Sequence, residues 1–149
     1  MNFVVLWTAT LVVLLDQISK LVAVRSLSEG PVEIIKGIFY LTLTYNTGAA
    51  FGIFKDQTIL FIIISSIAVI GILVYIYFDK STVYIGKLGF SFILGGAFGN
   101  LIDRLRLGYV IDFFDFKVWP VFNIADSAIT IGAALLMISL LLQKRAKRN

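Results

Sequence analysis

Four long apolar runs, at about residues 3–24, 58–78, 83–102 and 124–142, restrict what this chain can become more than any other feature. Each is close to the roughly 20 helical residues that cross a hydrocarbon core about 30 Å thick. Inside lipid, backbone N–H and C=O groups have no water to bond, so a spanning segment must pair them within itself. Continuous runs of this length therefore predict helices. Composition agrees: 59% of residues are hydrophobic and 15% charged, too little polar surface to face water on every side. The expected fold is an all-α integral membrane protein, a four-transmembrane-helix bundle forming a single domain over residues 1–149.

The stretch between the first two runs, residues 25–57, has a different character. Phe39-Tyr-Leu-Thr-Leu-Thr-Tyr-Asn46 alternates Leu with Thr, the period of a strand. Thr47-Gly-Ala-Ala-Phe-Gly52 follows, small and turn-like. These features predict a small β-sheet or hairpin platform on the membrane surface. Phe39, Tyr40, Tyr45 and Phe51 would lie at headgroup level, where aromatic rings concentrate. In the third run, Gly95-Gly-Ala-Phe-Gly99 is rich in small residues and predicts close contact between helices.

Orientation follows from Lys and Arg. Counting them over the connections gives a tie, six on each side. The tail breaks it, because Lys144, Arg145, Lys147 and Arg148 come directly after a span. Such a cluster suits an anchor on the cytoplasmic face and makes a poor nucleic-acid surface. The tail, residues 143–149, is then cytoplasmic, as are the N-terminus and the connection carrying Lys80 and Lys87. The 25–57 insert and the 103–123 loop face outward. The first run lacks a basic leader and a small-residue cleavage pattern, so it is expected to be a retained span.

The chain contains no Cys and no His, which removes disulfides, thiol nucleophiles, the usual zinc sites and imidazole acid–base chemistry. No metal or cofactor is expected. Ionisable residues at membrane depth are then the candidates for function. Asp16 and Lys20 are four apart and share a helix face, which suits an internal ion pair. Asp103 and Arg104 close the third run as a capping pair, although the Arg104 fork can also hold peptide carbonyls. Asp112 follows the third span and Asp126 opens the fourth, so one connecting loop brings both to one membrane face. Two adjacent, poorly hydrated carboxylates share a proton. One can then activate water while the other donates to a carbonyl oxygen. In Asp112-Phe-Phe-Asp115, either aspartate could partner Asp126. No spacing supports Ser19 or Ser127 as a nucleophile with Lys20.

Several segments, in order, resemble the motifs of the bacterial lipoprotein signal peptidases, also called signal peptidase II or prolipoprotein signal peptidase. They are Asp16-Gln-Ile-Ser-Lys20, Asn46-Thr-Gly-Ala-Ala-Phe51, Gly99-Asn-Leu-Ile-Asp-Arg104, Gly108-Tyr-Val-Ile-Asp-Phe113 and Phe122-Asn-Ile-Ala-Asp-Ser127. The resemblance spans essentially the whole chain, and no motif position departs from the pattern. It implies an aspartic endopeptidase of the bacterial plasma membrane that cuts lipid-modified prolipoproteins just before the diacylglyceryl-cysteine. Asp112 and Asp126 match the catalytic pair, and Asp115 falls outside the motif. Asn46, Gly48, Asn100, Arg104 and Asn123 match positions that line or support the substrate site, while Asp16, Lys20 and Asp103 match structural positions. The resemblance further implies inhibition by globomycin and no need of metal, and a monomer is enough for such a mechanism. Two other readings compete: a small proton-coupled transporter with Asp16, Lys20 and Asp126 as a relay, and a non-catalytic scaffolding subunit.

Overall fold

The computed structural model describes residues 3–48, 56–78 and 83–146. Four helices, α1 (Phe3–Ser26), α2 (Thr58–Phe78), α3 (Tyr84–Leu107) and α4 (Ile124–Ala146), are joined by three strands, β1 (Val32–Ile35), β2 (Phe39–Asn46) and β3 (Val110–Asp115). All four helices are long and apolar enough to cross a membrane, and the chain is a multi-pass membrane protein.

The helices outrun the apolar patches that announced them. α3 continues five residues beyond 102, through Asp103, Arg104 and Arg106, because charges interrupt hydropathy without breaking a helix. It stops at Gly108, whose φ of 84° is left-handed and whose N–H bonds the Arg104 carbonyl at 3.1 Å, an αL cap. α4 likewise continues through Gln143, Lys144 and Arg145, so the start of the expected tail is helical. Lys87 lies in the first turn of α3 instead of in a connection. Lys80, Phe51, Lys147 and Arg148 lie outside the described residues.

The sheet is antiparallel with order β1-β2-β3. Its third strand comes from the 103–123 segment, which the sequence reading treats as a loop. Val110-Ile-Asp-Phe-Phe-Asp115 shows no alternation because nearly every residue is buried, on both faces. One face lies on the bundle, where Phe113 packs with Ala23 and Leu27. The register pairs Thr44 with Asp112 and Leu41 with Phe114, with a bulge between. That bulge turns this part of β2 so that Thr42 meets Asp115 and Asn46 meets Asp112.

α3 is the central post, packed against α1, α4 and α2. Its glycines set how close the neighbours come. A Cβ at Gly96 would collide with the Ala125 carbonyl of α4, and one at Gly99 would lie 2.6 Å from the Asp16 carboxylate of α1. Gly71 on α2 has nothing within 4 Å. Gly96→Ala is therefore expected to lower thermal stability in detergent by about 1–3 kcal/mol, the usual cost of overpacking. Gly71→Ala should be neutral or slightly stabilising, since Ala suits a helix better than Gly.

Candidate active site

The site is built where the N-terminus of α4 meets α3 and β3. Asn123 caps α4: its Oδ1 accepts the Asp126 N–H at 2.9 Å, and Asp126 Oδ2 accepts the Asn123 N–H at 3.3 Å. This reciprocal pair is a capping box with Asn and Asp in its two positions. It holds Asp126 one turn inside the helix, where the dipole favours negative charge. The other oxygen, Oδ1, accepts from Asn100 Nδ2 of α3 at 2.8 Å.

Asp112 approaches from β3. Its Oδ1 accepts from Asn123 Nδ2 at 2.6 Å and its Oδ2 from Asn46 Nδ2 at 2.9 Å. Asn123 thus touches both aspartates, one through its side-chain NH2 and the other through its main chain and its carbonyl oxygen. Asp112 is 1% exposed. Burial and the nearby Asp126 charge push its carboxyl up to about 7, so near neutrality it holds a proton for much of the time.

Asp115 is elsewhere. Lys117 Nζ sits 2.7 Å from its Oδ2, Thr42 Oγ1 donates to the same oxygen at 3.0 Å, and the Lys117 N–H donates to Oδ1 at 2.8 Å. The Lys117 hydrogen bond holds its carboxyl below the usual range. With those partners Asp115 is a fixed anion tying β2 to β3, without a hydrogen bond to Asp126.

Beneath the two aspartates lies a buried charged cluster. Lys20 Nζ is 2.8 Å from Asp16, 2.8 Å from Asp103 and 2.9 Å from Asn100 Oδ1. The Asp16–Lys20 pair expected from spacing is present. Asp103 pairs with Lys20 and not with its sequence neighbour Arg104, because consecutive helical residues face different ways. Asp103 also accepts the Ile111 N–H at 3.2 Å, and Asp16 accepts the Ala125 N–H at 3.0 Å. The cluster therefore pins β3 and α4 to α1. Gln17, which the sequence reading did not single out, donates to Asp16, Asp103 and the Gly99 carbonyl. Removing one member of such a buried cluster strands its partners, at a cost of about 3–5 kcal/mol.

In front of Asp126 opens a cleft of about 490 Å³ between α2, α3 and α4, lined by Asn46, Gly48, Asn100 and Arg104 among mostly apolar walls. Arg104 donates to the Gly48 carbonyl at 3.3 Å, and its guanidinium lies 5.0 Å from the centre of the Phe61 ring. Asp112 lies behind this lining, bonded to Asn46. Two aromatics of the 103–123 segment, Trp119 and Phe122, line the cleft. Phe113 is buried beneath the sheet, and Phe116 stacks on Phe39 at 4.7 Å.

The family profile described as signal peptidase (SPase) II matches residues 8–142. The chain belongs to the signal peptidase II family. Among similar proteins, the lipoprotein signal peptidase of Halothermothrix orenii is 45% identical over 91% of this chain and 93% of its own. That of Caldanaerobacter subterraneus subsp. tengcongensis is 49% identical over 84% and 87%. A bacterial membrane enzyme solved by the in meso method at 2.3 Å resolution superposes with a TM-score of 0.88 and 33% identity, covering 97% of this chain and 91% of that one. As a signal peptidase II family member the chain is a peptidase, a hydrolase of the class that processes lipoproteins.

Proposed function

We propose that this signal peptidase II is an aspartic endopeptidase that removes the signal peptide from diacylglyceryl-modified prolipoproteins just before the lipidated cysteine. The observation that carries the reading is the pairing of two aspartates through one asparagine, with Asp112 on a strand and Asp126 in a helix N-terminus, at the edge of a mostly apolar cleft. A lipid-anchored substrate keeps its scissile bond near the bilayer surface, so carboxylates that cut it must work at that depth. Asp126, held by N–H donors, acts as the base that takes a proton from water. Asp112, protonated near neutrality, donates to the scissile carbonyl oxygen. The tetrahedral intermediate collapses by expelling the amine, which takes a proton from the dyad. Because the pair is coupled, its two titrations belong to the dyad as a whole.

Asn46, Asn100 and Asn123 orient the dyad in this reading, and Arg104 and Gly48 line the path of the substrate backbone. The protein acts as a monomer in the bacterial plasma membrane, with both termini cytoplasmic and the sheet outside. Membrane lipids surround it, and globomycin inhibits it. A transporter reading has less support, since Asp16 and Lys20 are fully engaged with each other and with fixed partners.

The test is cleavage of a purified precursor in detergent. Diacylglyceryl-modified precursor should be cut at the residue before cysteine, with chelator present and with globomycin abolishing the product. Equal cleavage of the unlipidated precursor, or loss of activity with chelator that returns with metal, would contradict the reading.

A further inference from the structure

Three asparagines aim their NH2 groups at the dyad, and an amide can do that only if its carbonyl end is held the other way. Two of them are held by main-chain donors. The Gly48 N–H occupies Asn46 Oδ1 at 2.9 Å, and the Asp126 N–H occupies Asn123 Oδ1 at 2.9 Å. Asn100 has no main-chain donor on its oxygen among the described contacts. Its Oδ1 accepts from Lys20 Nζ at 2.9 Å and from Asn123 Nδ2 at 3.1 Å. The Asn123 amide is a weak claimant, because its two hydrogens are also sought by Asp112 at 2.6 Å and by the Ile111 carbonyl at 3.2 Å.

We propose that Lys20 is a positioning residue for the proposed reaction: its buried ammonium, which can only donate, locks the Asn100 amide so that Nδ2 faces Asp126. The inference rests on the dyad reading above. An ammonium has three hydrogens and no acceptor, and all three are used, on Asp16, Asp103 and Asn100. It cannot release Asn100 without losing a bond in a site 2% exposed. With the carbonyl turned toward Lys20, Asp126 Oδ1 always meets a donor. Were the amide to flip, Asp126 would face a carbonyl oxygen and would have to carry a proton itself, which ends its service as a base. The charged groups that bear on Asp126 are Lys20 and Asp16 from α1, Arg104 from α3 and Asp112 from β3, with Asp103 paired to Lys20.

The decisive variant exchanges Lys20 for an amide and neutralises Asp16 with it, Asp16→Asn with Lys20→Gln, so that the cluster keeps its wild-type net charge although Asp103 loses its cation; the comparison is with the wild type. Glutamine can donate or accept, so the Asn100 amide is free to turn. Relative to the wild type, in which the opposite charges of Asp16 and Lys20 both act on Asp126, the double variant should lose about 10- to 100-fold in kcat, the usual scale for a residue acting through another, with KM nearly unchanged. The acid limb of its pH–rate profile should move upward by about one unit. A purely structural role for Lys20 would lower the melting temperature or the active fraction and leave the limb in place. An unmoved limb and an unchanged kcat in folded double variant would overturn the proposal.

Should the double variant not fold, the wild-type protein supplies the answer. With 13C-labelled aspartate, the carboxyl carbon of Asp126 should report an anion at pH 6, and a protonated Asp126 there would overturn the proposal. Loss of precursor cleavage in both Asp112→Asn and Asp126→Asn separates this question from the dyad reading itself. If those two variants still cut, the dyad is wrong. If they do not cut and the limb stays put, only the lysine lock is wrong.

Discussion

Asp112→Asn and Asp126→Asn should each insert, fold and lose precursor cleavage by about 1,000-fold or more, the scale seen when one member of a concerted catalytic unit is removed. The losses should not add in the double variant, since each alone already disables the pair. Asp115→Asn should retain clear activity: its carboxylate is engaged by Lys117 and Thr42 on the sheet. Stability separates Asp112 from a merely structural carboxylate. Its folded carboxyl titrates at about 7 against an ordinary value of 3.8. Between those values the unfolded chain has released the proton and the folded chain still holds it. Folding is then linked to proton uptake, and stability falls as pH rises through that window. Asp112→Asn has no such ionisation, so its melting temperature should exceed that of the wild type above pH 7. The advantage should shrink toward pH 4. A wild type that gained stability over that window, or dyad variants that still cut, would contradict the assignment.

Asn123 should prove the most informative single position, because it serves the fold and the chemistry with different atoms. Asn123→Ala removes the cap of α4, which costs about 0.5–2 kcal/mol, and removes the 2.6 Å donor to Asp112. Activity should fall by about 10- to 100-fold beyond the loss of folded protein. Asn123→Asp divides the two roles. Its carboxylate can still accept the Asp126 N–H and cap the helix, so the melting temperature should recover in part, less the cost of a further buried charge. It cannot donate to Asp112, and it adds a third negative charge, so kcat should stay as low as in the alanine variant or fall lower. Recovery of both together would mean that Asn123 acts through the helix cap alone. Thermal unfolding and kcat measured on one preparation decide it.

The bundle was legible because lipid leaves a chain so few options. Helix α2 runs over the same residues as the apolar run 58–78, and β2 was signalled by the Leu–Thr alternation of residues 39–46. The third strand was not legible, since a strand buried on both faces carries no period of two. The end of α3 was misplaced because hydropathy fell at Asp103 while the helix continued to Leu107. The resemblance selected Asp112 over Asp115 where local physics left both open. It gave no hint that Lys20 reaches Asn100 or that Gln17 bridges two carboxylates, since those meetings join residues more than 70 positions apart. The role of Asn123 was partly readable: Asn three residues before Asp at the opening of a helix has capping-box spacing. Its reach to β3 needed the sheet.

The arrangement of α2 carries a consequence for how this molecule tolerates change. Val69 is its only buried residue among those described, and it leans chiefly on α3. Yet Phe61 and Ser65 on the same helix form one wall of the cleft. The three remaining helices and the sheet already secure both aspartates without it. The outward side of α2 can therefore change among apolar residues without touching the dyad, while Phe61, Ile64, Ser65 and Ala68 on its inward side set the shape of one cleft wall. Both aspartates and their fixed partners stand on other elements, so reshaping this one wall leaves their scaffold in place.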